Sequence, residues 1–249
     1  METHITSIIV FILIIIFAII HSGGAALRNK AELIMGARLW RLCFVSFSLP
    51  SALILICYFL AHRYDGIRLW NFQGNSFVFF IVWFLTAISF IFLYPATYNL
   101  LEIPSLQKPQ IRIYSTGIMR ITRHPQAIGQ IIWCIAHSLW IGTTFTLITS
   151  FGLICHHLFA IWHGDKRLEY KFGKEFHRFK ENTSVIPFLA ILEGRQELKL
   201  KEFLRFSQLG ILIAIFVIWS SHKYINIAVT TFNSSFLSEF FDWQFKINI

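Results

Sequence analysis

The chain has 249 residues, of which 55% are hydrophobic, 17% aromatic and only 14% charged, with a formal net charge of +9. An ordinary soluble domain carries about 25% charged residues, so this chain lacks the polar surface of a cytosolic enzyme and is far too apolar for a disordered segment. A mean hydropathy of +0.60 points to a bilayer protein. The excess of 22 Lys and Arg over 13 Asp and Glu then suits anionic lipid headgroups and excludes nucleic acid as the simplest partner.

A hydrocarbon core of about 30 Å takes about 20 apolar residues in a helix. In chain order, the apolar runs predict an all-α, polytopic membrane bundle of about six spans. The first runs from Ile5 to Ala26. The second runs from Leu42 to Ala61, with Pro50 as a kink, and the third from Phe77 to Tyr94, ending before Pro95. The fourth runs from Pro125 to Ile141, with proline at its first helical position. The fifth runs from Phe145 to Trp162 and the sixth from Phe203 to Ser220. Residues 1–222 form one helix-bundle domain with a basic interfacial segment at 164–202; the aromatic tail, 223–249, is predicted to lie at the interface.

The loops after spans one, three and five carry 17 Lys and Arg, against four on the other side. The positive-inside rule therefore places both termini away from the cytoplasm. No basic residue precedes the first apolar run, which argues against a cleaved secretory signal, and no Arg/Ser-rich transit segment is seen. After span five, Leu168, Phe172, Phe176 and Phe179 recur at helical spacing among Lys166, Arg167, Lys171, Lys174, Arg178 and Lys180. This predicts one amphipathic helix lying on the headgroups. Cys43, Cys57, Cys134 and Cys155 lie in apolar runs without a CxxC pair, unlike a disulfide framework or a zinc site.

Histidine is the unusual residue, with ten copies. An ionisable group at membrane depth is costly and marks function by default; its plainer use is a hydrogen bond between helices. Gln130, Cys134 and His137 share one face of span four. Thr149, Gly152, His156, Ala160 and His163 follow a stripe on span five. His21 precedes the small-residue run Ser22-Gly23-Gly24-Ala25-Ala26, which lets a helix or a flat ligand approach closely. At about 1.5 Å per residue, His21, His156 and His137 lie about 10, 14 and 18 Å from the inner face, whereas His62, His124 and His163 sit near span ends. Zinc would want three or four ligands, and a proton relay would want carboxylates that the spans lack. Two histidines from different helices suit a haem held on both faces, with Arg28, Arg120 and Arg123 near its propionates.

The stretches His21-Ser-Gly-Gly-Ala-Ala-Leu-Arg28, Gly117-Ile-Met-Arg-Ile-Thr-Arg-His-Pro-Gln126, Gly129-Gln-Ile-Ile-Trp-Cys-Ile-Ala-His-Ser-Leu-Trp-Ile-Gly142 and His156-His-Leu-Phe-Ala-Ile-Trp-His-Gly-Asp-Lys-Arg-Leu168 closely resemble the 15-cis-zeta-carotene isomerases of plants, algae and cyanobacteria. That group is similar to the wider NnrU domain family. The resemblance implies an integral membrane isomerase of carotenoid biosynthesis that contains haem b and works with its iron reduced. It implies conversion of the central 15-cis bond of 9,15,9'-tri-cis-zeta-carotene, giving the 9,9'-di-cis isomer.

Functional histidines of that group map onto His21, His62, His124, His137 and His156. The resemblance makes His21 and His137 the iron ligands and Cys134 an alternative ligand in another redox state. The expected catalytic set is His21, His137 and His156. The expected haem contacts are His21, His137, Cys134, Arg28, Arg123 and His124. Depth alone would pair His137 with His156; the resemblance pairs it with His21. An electron donor, membrane lipid and the phytoene and zeta-carotene desaturation enzymes are the expected partners, in a cyanobacterial thylakoid or plasma membrane. Trp133, Trp140 and Trp162 are candidates to line a polyene slot.

Two other readings use the same residues. Arg123-His124-Pro125, Gly129, Leu168, Phe172-Gly173, Phe176, Phe179 and Pro187 also resemble membrane methyltransferases of isoprenylcysteine or phospholipids that use S-adenosylmethionine. Those carry a Glu-Glu pair where this chain has Gly164-Asp165. The other is a haem electron-transfer protein of NnrU type.

Overall fold

An almost unbroken run of Ile, Leu, Phe and Val builds α1 (Glu2–Ala18). In hydrocarbon no water accepts a backbone hydrogen bond, so such a run satisfies its amides by coiling into a helix. In the computed structural model, which describes residues 2–101, 113, 116–203, 210, 212–228 and 231, α1 continues through a π-helical turn (Ile19–Gly23) into α2 (Gly24–Met35). The first span thus runs past the predicted end at Ala26. Gly36, at φ +81°, ends α2 and turns the chain into α3 (Ala37–His62). Pro50 lies inside α3. Pro95 does not stop α4 (Ser76–Leu101) as predicted; membrane helices tolerate proline because neighbouring groups re-satisfy the freed carbonyl.

A short α5 (Ile118–Ile121) leads to α6 (Pro125–Ile141), whose bounds agree with the predicted fourth span. Pro125 opens it and Gly142, in the left-handed region at φ +68°, closes it. A side chain at Gly142 would also strike the Trp70 carbonyl. Thr143 caps the next helix by accepting from the Thr146 amide. That helix, α7 (Thr144–Phe172), has 29 residues, about 43 Å of rise. It outlasts the predicted end at Trp162, and its last turns stand beyond the hydrocarbon.

Gly173, at φ +51°, separates α7 from α8 (Lys174–Asn182). The single amphipathic helix expected here is therefore two helices, and Phe176 is fully buried in the protein, so it does not face headgroups. α9 (Leu189–Leu192) and a 3-10 turn (Leu200–Phe203) follow. Among the described residues the next apolar helix is α10 (Leu212–Ala228), and the predicted start at Phe203 falls in the 3-10 turn. The predicted tail from residue 232 onward lies outside the described residues.

Among the described residues helices are joined by turns and loops, and no strand forms beyond an isolated bridge between Arg68 and Thr143. Among the described residues four helices are long and apolar enough to cross a membrane: Ile5–Met35, Ala37–His62, Ser76–Leu93 and Thr144–Phe172. The other two predicted spans correspond to α6, of 17 residues, and to the shorter apolar α10. Large apolar side chains such as Ile8, Phe11, Phe47 and Phe80 point outward, as lipid-facing residues do.

Inside, one cluster joins Val10 and Ile14 of α1, Leu55 and Phe59 of α3, Ile141 of α6 and Phe145 of α7. The tightest approach is α4 on α6, where a Cβ on Gly129 would lie 2.8 Å from the Ser89 carbonyl oxygen. Ser89 Oγ donates to the Gly129 carbonyl at 2.8 Å, and Ser138 Oγ to Ser150 Oγ at 2.8 Å between α6 and α7. Small residues and short hydroxyls hold membrane helices together in this way, since apolar burial gives no advantage over lipid.

The bundle has two distinct ends. At one, Arg28, Arg120, Arg123, Asp165, Arg167 and Glu202 gather through hydrogen bonds and ion pairs. At the other, the loop after α3 is pinned to the α6–α7 turn: the Leu69 amide donates to the Gly142 carbonyl at 2.7 Å, and the Trp70 indole to the Leu139 carbonyl at 2.9 Å.

Candidate functional site

The π-helical turn carries His21. Such a turn re-aims one side chain and marks functional positions more often than ordinary helix does. Here it places the His21 ring against Phe44 and Ser48 of α3, with Nδ1 2.7 Å from Ser48 Oγ. His21 also stacks on Phe17 at 5.1 Å between ring centroids. Its third ring neighbour is His156 of α7, at 6.4 Å with the planes crossed at 69°. Phe17 touches both imidazoles, lying 5.3 Å from His156, and His157 packs edge-on to His156 at 5.3 Å.

His156 is 7% exposed, and its Nδ1 is buried without a hydrogen-bond partner among the described residues. A buried polar atom left unpaired costs about 1–3 kcal/mol, so this nitrogen is either a penalty or a site. Counted along their helices from Arg28 and Asp165, His21 and His156 lie about 10 and 13 Å below the charged end, a common level.

His137 has different surroundings. Its Nδ1 lies 3.0 Å from the Trp133 carbonyl one turn back. A carbonyl only accepts, so Nδ1 carries the hydrogen and the neutral ring keeps its lone pair on Nε2. The ring stacks on Trp133 at 3.8 Å and meets Phe59 edge-on at 6.5 Å. Cys134 is fully buried between α6 and α7: Gln130 Nε2 reaches its sulfur at 3.9 Å and Ser150 Oγ its carbonyl at 3.4 Å. His21 and His137 touch α3 at residues 48 and 59, about 16 Å of rise apart. The structure brings His21 to His156 and leaves His137 at another level.

The remaining candidates divide between the two ends. His124, the residue before Pro125, puts Nε2 2.7 Å from Asp165 Oδ1, while Arg123 donates from Nε and Nη2 to Asp165 Oδ2 at 3.1 and 2.9 Å. Arg123 Nη1 reaches the Thr183 carbonyl at 3.5 Å, so the whole guanidinium is engaged. Asp165 stands where the methyltransferases carry a glutamate pair, and its carboxylate is spent on α6. Arg28 is paired with Glu32 at 2.6 Å.

Arg120 grips Glu202 with two nitrogens, each at 2.8 Å. The Gly117 amide donates to the same carboxylate at 2.6 Å. Hydrogen bonds from the Arg120 side chain, then from the Gly117 amide, hold the Glu202 carboxyl down at about 2. At the opposite end His62 Nδ1 lies 2.9 Å from Asp65. His163 stacks on Phe159 at 6.0 Å, and both border a cavity of about 380 Å³ beside the π turn, lined also by Ser22, Gly23 and Ala26. Trp140 packs on Phe79 at 5.7 Å, and Trp162 is 57% exposed.

Five contributors escaped the sequence reading. Phe17 and Ser48 carry no signal until the fold places them beside His21. His157 was overshadowed by its neighbour. Arg167 donates to the Ala25 carbonyl at 3.0 Å and so ties α7 to the helix bearing His21. Asp165 could have been found, as a carboxylate following a span that otherwise lacks them.

Among the described residues no group of three or more His, Cys, Asp or Glu is placed to hold a metal ion. Two imidazoles are too few for a bare ion. They are the right number for an iron that already has four porphyrin nitrogens. The Phe17 ring, 5.1 Å from His21 and 5.3 Å from His156, fills the plane between these two imidazoles, so no flat macrocycle fits between that pair as it stands.

The chain is 50% identical over 207 residues to "15-cis-zeta-carotene isomerase, chloroplastic" from Zea mays, covering 82% of this chain and 57% of that protein. It is 52% identical over 202 residues to the protein of the same name from Arabidopsis thaliana, covering 80% of this chain and 55% of that one. The chain thus spans little more than half the length of these curated relatives. No solved structure matches it. The family model described as NnrU protein matches residues 9–229, and the chain belongs to that family.

Proposed function

We propose that this protein is a membrane cis–trans isomerase of carotenoid biosynthesis, acting on the central 15-cis double bond of 9,15,9'-tri-cis-zeta-carotene to give the 9,9'-di-cis isomer. The observation that carries this reading is the 50–52% identity, over four-fifths of the chain, to two proteins named for that activity. A bundle of apolar helices suits the substrate, because a hydrocarbon that stays in lipid is spared transfer through water.

The same reading includes haem b. A linear hydrocarbon offers no group for acid–base work, and rotation about a conjugated double bond requires its bond order to fall. Reduced haem iron, when bound, would supply electron density, or a coordination position once one histidine lets go, that can do this. The residues that would hold the haem are His21 and a second deep histidine. Ser48 orients the His21 ring through Nδ1, and Phe17 packs against both His21 and His156. Gly23 offers a flat approach, since a Cβ there would meet nothing within 4 Å. Arg167 ties α7 to the backbone just beyond the π turn.

The test is expression with the preceding desaturation enzymes in darkness, with isomers separated by chromatography. Conversion of the tri-cis isomer is the expected result; its persistence overturns the reading. A haem-bearing chain that leaves the tri-cis isomer unchanged would instead be an electron-transfer protein.

A further inference from the structure

We propose that the cavity beside the π turn, between the α1–α2 helix and α7, is the slot that receives the conjugated chain of the substrate. The inference rests on the isomerase reading above and gives its hydrocarbon substrate a place in the fold.

Shape is the first argument. The cavity has a volume of about 380 Å³, within the range of small-ligand sites. On one side it runs from Ile15 to Ala26, about 16 Å of helix, so it is a long slot rather than a bowl. Along that wall Ala18, Ser22, Gly23 and Ala26 present short side chains or none. Across it stand Phe159 and His163, one turn apart on α7, with ring planes within 15° of each other. A low wall facing two nearly parallel rings suits a flat, extended, conjugated chain; a saturated lipid tail gains less from the rings.

Polarity is the second. Among the described residues that line the slot, Ser22 and His163 alone carry polar side chains. A hydrocarbon needs no hydrogen bond, and the apolar lining offers it dispersion contacts. Phe159 is 52% exposed and Ile19, on the opposite wall, 65%, so the slot opens sideways to the bilayer. The substrate then enters from lipid without crossing water.

The third is position. Ser22 and Gly23 directly follow His21 within the π turn. The turn sends the His21 ring onto Phe44 and Ser48 of α3 and leaves its next two residues on the slot. The open side of Gly23 thereby belongs to the polyene rather than to a porphyrin. Of the tryptophans expected to line such a slot, Trp162 packs on Phe159 at 5.6 Å between centroids; Trp133 and Trp140 pack elsewhere, on His137 and Phe79.

The test uses the full chain purified in detergent, with binding of tri-cis-zeta-carotene, KM, kcat and haem content measured separately. Gly23 has an ordinary helical φ of −64°, and a Cβ there would meet nothing within 4 Å, so Gly23→Leu fills the slot without moving the backbone. It is expected to weaken substrate binding and raise KM about tenfold or more, the effect of overfilling a packed site, with haem content unchanged. Phe159→Leu removes a ring from the half-exposed wall and is expected to raise KM about two- to tenfold, the equivalent of one lost aromatic contact, with kcat unchanged. Phe159→Tyr, which keeps the ring, is expected to show the wild-type KM.

Wild-type binding and KM in Gly23→Leu overturn the inference, and a loss of co-purified phospholipid in that variant would then make the slot a lipid site. Loss of haem from Gly23→Leu, with an unchanged KM in the haem-bearing fraction, overturns it as well and gives the open side to the porphyrin. If Gly23→Leu fails to fold, equal KM in Phe159→Leu and Phe159→Tyr overturns the slot. Wild-type protein that binds the polyene without converting it overturns the isomerase reading and keeps the slot; wild-type protein that does neither overturns both.

Discussion

The two histidine neighbourhoods lie in one bundle yet are built differently. Around His21 and His156 three helices meet with a gap: the imidazoles stand 6.4 Å apart, Phe17 braces both, and one nitrogen has no partner. Around His137 nothing is left open at Nδ1, which donates to its own helix, and the ring lies flat on Trp133. In both His21 and His137 the engaged nitrogen is Nδ1, which leaves Nε2 with its lone pair; what differs is the partner, a hydroxyl from another helix in one and the ring's own helix in the other. The largest expected effect tests the proposed haem site across this contrast: His21→Ala and His137→Ala should each lose most of the bound haem, and a wild-type absorption spectrum in either variant would remove that residue from the site. In His137→Ala the melting temperature should fall by the equivalent of the lost aromatic stack, about 0.5–1.5 kcal/mol.

Next in size is the charged clasp that sets the level of His156. Asp165, nine residues further along α7, receives Arg123 and His124 from the start of the helix that bears His137. Asp165→Ala leaves the Arg123 guanidinium, whose side chain is 13% exposed, without its partner. Breaking such a pair costs about 3–5 kcal/mol when it is well buried, so the detergent melting temperature should drop steeply. The double change Arg123→Ala with Asp165→Ala should recover part of the loss, because it removes the stranded charge. A double variant no better than the single one would mean that the carboxylate is valued for something other than this pair.

How far the site was legible follows from these same residues. The bounds of α6 were readable because Pro125 and Gly142 state them locally: one presets φ, the other adopts a left-handed turn. The end of α4 was not, because Pro95 breaks a helix in water but is accommodated in a bundle. The deep histidines could be ranked by depth, yet depth favoured pairing His137 with His156. The contact between the His21 and His156 rings follows the π turn at Ile19–Gly23, which has no sequence signature. The basic run after α7 read as one lipid-facing helix because its period was unbroken. Gly173 then splits it, and Phe176 packs inward.

Two glycines separate the neighbourhoods by stability. A Cβ on Gly129 would meet the Ser89 carbonyl at 2.8 Å and Leu93 Cγ at 2.7 Å; a backbone oxygen cannot step aside. Gly129→Ala should therefore push α4 from α6 and cost about 1–3 kcal/mol, on the His137 side of the bundle. On Gly152 a Cβ would meet Ile14 Cδ1 at 2.9 Å, the far end of a flexible side chain. Gly152→Ala, one turn from His156, should therefore lower the melting temperature less than Gly129→Ala. A larger drop in Gly152→Ala would mean that Ile14 has no room to turn.

The smallest effect concerns one hydroxyl. Ser48 is 6% exposed, and its Oγ stands 2.7 Å from His21 Nδ1. Hydrogen bonds between membrane helices are worth about 0.6 kcal/mol on average, so Ser48→Ala should barely move the melting temperature. If His21 ligates through Nε2, the hydroxyl tunes that ligand, since outer contacts fix ring orientation and basicity. Ser48→Ala should then keep the haem but shift its reduction potential and weaken its retention on dilution. Ser48→Thr should restore both, because it returns the oxygen. The same pair of substitutions would leave potential and retention untouched if His21 were only packing against α3, so a small change at this position separates a ligand from a bystander.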